Sequence, residues 1–321
     1  MGTNTLFGIA TGGGNRDRRR TIKRHWRRVL VATLLLFVAS NAIADNKLVV
    51  FAVNYPLAYF AQRIGGDDVQ VQFPVPAGVD PAFWMPDVAQ VIAYQQADLI
   101  LLNGARYAKW VDKVSLPQLK LVNTSVFFEE QYIRGDAGAT HSHGPAGEHS
   151  HGGVTFTTWL DFSLAAQQAQ AITEALARVR PEMAADFERR FAILRSELLE
   201  LDSEMQSIGQ RTAGKPLLAS HPVYQYLRAR YGLNLRSVMW EPDVVPDQAS
   251  WVALQQLTNE HPARWMLWES EPLSDTQQRL TTLGISSLVF SPCANVPDEG
   301  DFLSVMRANL EALSSIFGPG G

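Results

Sequence analysis

The sequence predicts an α/β protein of two lobes, each with a mainly parallel sheet, joined by a long rigid helix. Strand-length apolar runs alternate with helical segments in the first part of the chain, and the alternation resumes after Gly214. Between these parts, one amphipathic segment has the length and periodicity of a single long helix. The 321 residues, 46% of them hydrophobic and 19% charged, suit two globular domains.

Residues 1–44 are predicted to be a secretory signal peptide, so we expect a periplasmic protein. A basic region at 16–28 precedes an apolar run at 29–39, and Ala42-Ile43-Ala44 supplies the small residues that a signal peptidase requires. The run is short for a membrane span, which disfavours an uncleaved anchor. The segment carries eight basic side chains and one acidic one, so its removal shifts the formal net charge from -4 to -11. That charge argues against nucleic acid as a partner.

The first lobe is predicted to span residues 45–162. Glycine, proline and asparagine bound its apolar runs, as is typical of strands joined by turns. Residues 136–153 have no apolar periodicity and are rich in glycine, alanine, serine and histidine, so they are predicted to form a flexible surface loop. The predicted elements are strands at 47–53, 69–75, 98–102 and 119–123, and helices at 57–63 and 87–96.

Residues 163–212 are predicted to be a helical segment, interrupted at Pro181, that includes the connecting helix. In its second half, apolar residues recur at alternating steps of four and three, which places them in one stripe on a helix of about eight turns. A coiled-coil seam is the alternative, but so short a seam inside a globular chain favours a rigid connector. The stripe consists of Phe187, Phe191, Leu194, Leu198, Leu201, Met205 and Ile208.

The second lobe is predicted to span residues 213–321. One helix is expected to begin at His221-Pro222, and another at Ser250, with the serine as its N-cap. Because ligands of parallel sheets bind at the carboxyl ends of strands, we expect a cleft where the loops of the two lobes face each other. The remaining predicted elements are strands at 217–220, 235–240, 265–268 and 287–290, and helices at 275–283 and 301–317.

Several short motifs, in a fixed order along residues 47–315, together make a specific pattern. They are Tyr55-Pro56-Leu57, Arg63-Ile64-Gly65-Gly66-Asp67, Pro76-Ala77-Gly78-Val79-Asp80-Pro81, Ala97-Asp98-Leu99, Asn103-Gly104-Ala105, Trp159-Leu160-Asp161, Ser220-His221-Pro222 and Asp301-Phe302-Leu303. The pattern resembles the cluster A-I solute-binding proteins, the zinc and manganese receptors of bacterial ABC importers. The internal His-rich loop is similar to that of the zinc-type members.

The resemblance implies two α/β lobes joined by a long helix, with a metal held in the cleft by three or four side chains, often histidines. The implied function is capture of zinc, or of manganese or another divalent metal, for an ABC permease in the inner membrane. We expect a monomer. We also expect no enzymatic activity, because the sequence has no Gly-x-Ser-x-Gly, His-Glu-x-x-His or phosphate-loop motif.

The ligand positions implied by the resemblance depart from the family pattern. Ala82, Thr157 and Ser291 stand where three of the ligands are expected, and only His221 keeps a metal-binding side chain. One imidazole from one lobe cannot close a cleft on zinc, which usually takes four ligands. Either the ligands have moved, or the cleft binds something else, or the His-rich loop binds the metal.

The His-rich loop holds a second group of candidate metal ligands, which are His141, His143, His149 and His151. Neutral imidazoles bind zinc, copper and nickel, and glycines allow the ligands to converge. We expect modest affinity, because ordering a flexible loop costs conformational entropy. A solvated insertion without a ligand is the alternative.

Further candidates lie near the predicted cleft. Glu269 and Glu271 follow the strand at 265–268, where they can supply oxygen to a metal or cap the next helix. Cys293 is close to the fourth ligand position, where it is either a thiolate ligand or a small buried residue. Asp80 either fixes its loop or contacts a ligand. His221 is either a ligand in the cleft or a hydrogen-bonded histidine of the core.

Three functions therefore remain open. The first is a zinc receptor of an ABC importer. The second is a divergent family member that binds a metal chelate or an organic ligand in an aromatic cleft. The third is a metal chaperone or buffer that acts through the His-rich loop. The aromatic residues near the strand ends are Phe83, Trp84, Trp159, Trp240 and Trp268.

Overall fold

A computed structural model describes residues 1–6, 8, 47–134, 140–142, 148–150 and 153–317. The chain divides into two units, Met1–Asn46 and Lys47–Gly321, and the second contains both predicted lobes. Most of the predicted signal peptide at 1–44 lies outside the described residues. Within the part of the chain that is described, no helix has the length and apolar character of a membrane span.

The N-terminal lobe is a four-stranded parallel sheet in the order β2-β1-β3-β4. Central strand β1 pairs on both sides, with Val50 opposite Val71 on one neighbour and Leu99 on the other. Strands covered on both faces are uniformly apolar, which explains the sequence of β1 and β3. The elements are β1 (Leu48–Ala52), α1 (Tyr55–Gly65), β2 (Val69–Gln72), α2 (Val88–Gln96), β3 (Leu99–Leu102) and β4 (Leu121–Asn123).

Local sequence sets the ends of these elements. The Asn54 side chain accepts from the Leu57 backbone N–H and starts α1, and Asp87 forms a capping box at α2. Strand β2 ends before the predicted residue 75, because Pro74 and Pro76 have no backbone N–H for a sheet. The loop between β2 and α2, residues 73–87, is therefore long and irregular.

The segment predicted as a loop at 136–153 contains two short antiparallel strands, β5 (Thr140–Ser142) and β6 (Glu148–Ser150). The backbone of His141 lies opposite that of His149, and a bridge between Arg134 and Val154 closes the base of the hairpin. Neither strand contains an apolar residue, so hydrophobic periodicity could not reveal this pairing.

Two helices follow, α3 (Phe162–Val179) and α4 (Ala184–Arg211), separated near Pro181 as predicted. All seven residues of the predicted stripe on α4 are buried, the most exposed being Phe191 at 5%. Helix α4 packs against α1 of the first lobe. It also contacts two helices of the second lobe, α5 (Gln225–Tyr231) and α8 (Phe302–Ser315), so it connects the lobes.

The C-terminal lobe is a second four-stranded parallel sheet, in the order β10-β9-β7-β8. The two parallel sheets and the long helix between them confirm the predicted fold class. Besides α5 and α8, the elements are β7 (Pro216–Ala219), β8 (Asn234–Ser237), α6 (Gln248–Glu260), β9 (Trp265–Trp268), α7 (Ser274–Thr282) and β10 (Ser286–Val289).

Two helix starts in this lobe differ from the prediction. Helix α5 begins at Gln225 rather than at His221-Pro222, because residues 221–223 form a tight turn in which Val223 N–H donates to the His221 carbonyl. Helix α6 is capped by Asp247 and not by Ser250. The Asp247 carboxylate accepts from the Ser250 backbone N–H at 2.8 Å, so the serine occupies the third helical position.

The connecting helix allows a matched stability test. Leu198 is fully buried on α4, whereas Ile193 is 57% exposed on the same helix. We expect Leu198→Ala to lower the free energy of unfolding by about 2–5 kcal/mol, measured by urea denaturation, because it leaves a cavity between helices. Ile193→Ala is the control and should cost less than about 1 kcal/mol. Equal losses in the two variants would show that α4 is not anchored by its buried stripe.

Candidate metal-binding cleft

His221 lies directly after β7, at the carboxyl end of the sheet, with its side chain 3% exposed. Its ring Nδ1 is 3.2 Å from Oε1 of Glu241, which comes shortly after β8. The Trp240 backbone N–H donates to the Ser220 carbonyl at 2.6 Å and fixes this segment beside the end of β7. The chain therefore holds an imidazole and a carboxylate together at the mouth of the second lobe.

Glu241 is near enough to His221 to influence its tautomer, since Oε1 lies 3.2 Å from Nδ1. A carboxylate beside Nδ1 favours the proton on that nitrogen, which leaves the lone pair on Nε2. Metal-binding histidines are commonly oriented in this way, with one ring nitrogen on a carboxylate and the other on the metal. In that tautomer the Nε2 lone pair of His221 would be available to a metal.

Two further carboxylates approach this pair. Glu269 follows β9, the strand next to β7, and Asp80 lies in the long loop of the first lobe. Burial, together with the charges of Asp80 and Glu241, raises the pKa of Glu269 to about 8. The Asp80 Oδ1 accepts from the Ala82 backbone N–H at 2.8 Å, which fixes its loop. Charges from both lobes therefore act on Glu269.

The charges of these carboxylates also act on two buried tyrosines, Tyr107 and Tyr224. Burial raises the pKa of Tyr107 well above its usual value, and the nearby charges of Asp80 and Glu269 add to the effect. Tyr107 is 2% exposed, and its hydroxyl has no hydrogen-bond partner within the described residues. Tyr224 instead donates from its hydroxyl to the Phe290 carbonyl at 2.7 Å.

The residues at the other expected ligand positions make structural contacts. Ala82 is buried at 2% exposure. The Thr157 hydroxyl donates to the Val223 carbonyl at 2.5 Å, from one lobe to the other. The backbone of Ser291 exchanges two hydrogen bonds with the Asn309 side chain, at 3.0 and 2.7 Å. None of these side chains supplies the imidazole or carboxylate expected there.

Two of the other predicted site residues, Glu271 and Cys293, make contacts of their own. Glu271 is exposed and accepts from the side-chain amide of Gln277. Cys293 is 4% exposed, and burial raises the pKa of its thiol to about 12, which disfavours a thiolate. His141 and His149 lie on the paired strands β5 and β6, whereas His143 and His151 fall outside the described residues.

Across the described ranges, no three side chains of histidine, cysteine, aspartate or glutamate lie close enough to hold a metal in this conformation. His221 and Glu269 are candidates from the sequence because they stand at predicted strand ends. The same reasoning applies to Glu241, which it missed. Tyr107 gave no sequence signal, because its burial depends on packing against Phe156 and Trp159.

The aromatic residues near the strand ends are mainly core. Trp159 and Trp268 are fully buried and Trp240 is 5% exposed. The Trp159 indole donates to the Pro292 carbonyl at 2.8 Å, and the rings of Trp240 and Trp268 pack 6.3 Å apart. Their burial fits the packing role that was one of the two interpretations of these side chains.

A family model described as "ZnuA: Zinc-uptake complex component A periplasmic" matches residues 50–316. The chain belongs to this family. The zinc-binding lipoprotein AdcA of Streptococcus pneumoniae is 24% identical over 297 residues, covering 88% of this chain and 58% of AdcA. The chain thus spans little more than half of that relative. The high-affinity zinc uptake system protein ZnuA of Bacillus subtilis is 25% identical over 312 residues, covering 89% of this chain and 95% of ZnuA.

Solved structures share the fold. The metal-dependent lipoprotein YcdH from Bacillus subtilis superposes with a TM-score of 0.73 at 23% identity, covering 84% of this chain and 98% of that one. Zn(II)-bound AdcA from Streptococcus pneumoniae gives a TM-score of 0.72 at 21% identity, covering 86% of this chain and 59% of AdcA. The family resemblance expected from the ordered motifs is confirmed.

The raised pKa of Glu269 predicts a pH-dependent stability. The folded protein binds this proton more tightly than the unfolded chain, so the contribution is complete below the ordinary pKa of 4.5 and is lost as pH rises through about 8. We expect Glu269→Gln to raise the melting temperature at pH 9, on the order of 5 °C, and to change it little at pH 4.5. Thermal unfolding followed by circular dichroism measures the difference.

The control for this measurement is Glu260→Gln, which removes a carboxylate from the exposed end of α6 in the same lobe. It should leave the pH dependence of the melting temperature unchanged. If Glu269→Gln gives the same shift at both pH values, then crowding of buried charge around Glu269 is excluded as a source of instability.

Proposed function

We propose that the chain is a periplasmic solute-binding receptor that captures zinc in the interlobe cleft and delivers it to an ABC permease in the inner membrane. The observation that carries this proposal is family membership over residues 50–316 together with His221, held by Glu241 at the strand ends between the lobes. The predicted signal peptide supports export, and the expected form is a monomer. The family description, a component of an uptake complex, supports a receptor over an enzyme.

The cleft suits a cation. His221, Glu241 and Glu269 come from the second lobe, and Asp80 comes from the first. Net negative charge in a partly buried cleft disfavours anionic ligands and attracts divalent cations. Manganese is the alternative cargo, because carboxylate oxygens are suitable ligands for manganese and for zinc.

Closure on the cargo is expected to be small. Helix α4 contacts helices of both lobes, and several hydrogen bonds already cross between the lobes. The Asn295 amide of the second lobe donates to the Pro76 carbonyl at 2.7 Å and to the Val79 carbonyl at 2.8 Å. Together with the Thr157 contact to Val223, these bonds limit rotation of one lobe against the other.

We propose that the His-rich hairpin has an auxiliary role. Its histidines would capture zinc at modest affinity and raise the local concentration near the cleft. The four imidazoles of the segment support this role chemically. The lower-ranking candidates Glu271 and Cys293 have no comparable support, since one faces solvent and the other is a buried thiol.

Calorimetric titration of zinc into metal-free protein tests the receptor proposal. We expect one tight site per molecule in the protein purified from the periplasm. His221→Ala should weaken it roughly 100-fold or more, because a ligand is lost from a site with few ligands. Deletion of residues 141–151 should remove only weaker sites and leave the tight one.

Two outcomes would contradict the receptor proposal. Absence of a one-to-one site in the intact protein would exclude direct zinc capture in the cleft and favour a chelate or an organic ligand. Zinc binding that survives His221→Ala but disappears with residues 141–151 would assign the protein a buffering role through the hairpin.

A further inference from the structure

The base of the His-rich hairpin belongs to the first lobe by sequence but contacts the second lobe. Two chain segments, residues 132–134 and 154–157, form this base and are called the hairpin stem. Besides the bridge that closes the hairpin, the backbone N–H and the hydroxyl of Thr155 both donate to the Ile133 carbonyl, at 2.8 and 3.1 Å. The stem is therefore a hydrogen-bonded pair of segments that can hold a side chain from another element.

Tyr226, on α5 of the second lobe, is held by both segments of the stem. Its hydroxyl donates to the Thr155 carbonyl at 3.2 Å and accepts from the Ile133 backbone N–H at 3.3 Å. The side chain is 3% exposed and packs in a small hydrophobic cluster with Phe128 and Leu164. Phe128 lies in the turn after β4 and Leu164 lies on α3, so Tyr226 is buried among residues that precede the second lobe.

Thr157 makes a second link from the stem, closer to His221. Its hydroxyl donates to the Val223 carbonyl at 2.5 Å. Val223 closes the turn that begins at His221, since its backbone N–H donates to the His221 carbonyl at 3.0 Å. Thr157 is 4% exposed, and a hydrogen bond is stronger in such a buried place than in water. The position at which the family resemblance implies a metal ligand thus holds the His221 turn directly.

The far end of α5 is also attached to elements outside the second sheet. The Tyr231 hydroxyl donates to Oδ1 of Asp202 on α4 at 3.0 Å and accepts from the Phe162 backbone N–H at 3.0 Å. Arg230 donates to both carboxylate oxygens of Asp202, at 3.1 and 2.8 Å, and such bidentate pairs are strong. The His221 turn therefore joins β7 of the second sheet to a helix that is held at both ends by other elements.

On the basis of the proposed function, we propose that Thr157 and Tyr226 form a latch between the hairpin stem and α5 that positions His221 without a metal. Neither side chain touches the cargo, so both are positioning residues. The latch holds the His221 turn and the helix that follows it before a cation arrives. Binding then requires less ordering of the protein, which raises the affinity for the cation.

The latch has few bonds, and their burial gives it its strength. One intramolecular hydrogen bond shifts an equilibrium between two conformations by about 2- to 10-fold. Thr157 contributes one bond between the stem and the second lobe, and Tyr226 contributes two bonds and the packing of its ring. Loss of these bonds leaves the pairing of Arg230 with Asp202 in place. The latch therefore affects the His221 turn more than it affects the fold as a whole.

Amide hydrogen exchange of the metal-free protein, followed by NMR, tests the latch without any cargo. Thr157→Val and Tyr226→Phe each remove one hydroxyl with little change of shape. If the two side chains act as one unit, Thr157→Val should speed exchange of the Ile133 amide, whose acceptor it leaves in place, about 2- to 10-fold. Tyr226→Phe should likewise speed exchange of the Val223 amide. Unchanged exchange at both of these remote amides would overturn the latch.

Two control variants match these substitutions at sites away from the latch. Thr173→Val removes a buried hydroxyl that donates to the Ala169 carbonyl inside α3. Tyr94→Phe removes a buried hydroxyl that donates to the Ala52 carbonyl inside the first lobe. Neither control should change exchange at the stem or at the His221 turn. Equally fast exchange in the controls would attribute the effect to a general loss of stability and overturn the assignment.

Zinc titration then tests the positioning of His221. Thr157→Val and Tyr226→Phe should each weaken the one-to-one site about 2- to 10-fold, because binding must now order the His221 turn. Thr157→Ser keeps the hydroxyl and should bind zinc within about twofold of the unsubstituted protein, as should both controls. Latch variants with faster exchange but unchanged zinc affinity would overturn the positioning role.

The two measurements separate this assignment from the proposed function. Faster exchange in the latch variants of a protein that binds no zinc would support the contact between the stem and α5 and contradict the receptor function. Unchanged exchange in a protein that binds zinc through His221 would contradict the latch and leave the receptor function standing.

Discussion

Burial of the apolar stripe of α4 is the interaction on which the rest of the molecule depends. The helix packs against α1 on one side and against α5 and α8 on the other. Helix α4 therefore supports both lobes, because each packs helices against it. Without that common support, Asp80 from one lobe would have no defined relation to His221 from the other. The site is thus a consequence of helix packing far from it.

Direct contacts between the lobes add to this support. The Thr157 hydroxyl, the Asn295 amide and the Trp159 indole each donate to a backbone carbonyl of the other lobe. Backbone carbonyls keep their positions better than side chains, so these bonds constrain the lobes efficiently. These bonds, with those from Asn295 to the loop that carries Asp80, therefore limit movement of one lobe against the other.

Much of the fold could be predicted because its signals are periodic. The strands and the stripe of α4 depend on apolar spacing, and that spacing is visible in one sequence. The hairpin at Thr140–Ser142 and Glu148–Ser150 contains no apolar residue, so its pairing gives no such signal. The predicted start of α5 was wrong by three to four residues and the predicted cap of α6 by three, because several neighbouring residues can begin a helix equally well.

The candidate site was predictable in part for the same reason. His221 and Glu269 follow strands directly, where ligands of parallel sheets are usually bound. Glu241 follows a strand that ends earlier than predicted. Only its short distance to His221 identifies it as a candidate site residue. The electrostatic link of Tyr107 to Asp80 and Glu269 requires the two lobes to be assembled. Such relations between distant segments are properties of the packed chain and are not visible in local patterns.

For the proposed receptor, the hydrogen bond between Thr157 and Val223 bears on how a permease would distinguish metal-loaded molecules from empty ones. Where a metal alone joins two lobes, loss of the metal frees them, and the empty receptor differs from the loaded one over its whole surface. Here a hydrogen bond within the protein joins the lobes at Thr157, one of the positions where a family ligand is expected. A membrane partner would then have little gross change of shape to recognise. The permease would then have to distinguish the loaded protein from the empty one by a small area around the mouth of the cleft. Unproductive binding of the empty protein to the permease would be prevented by that area alone.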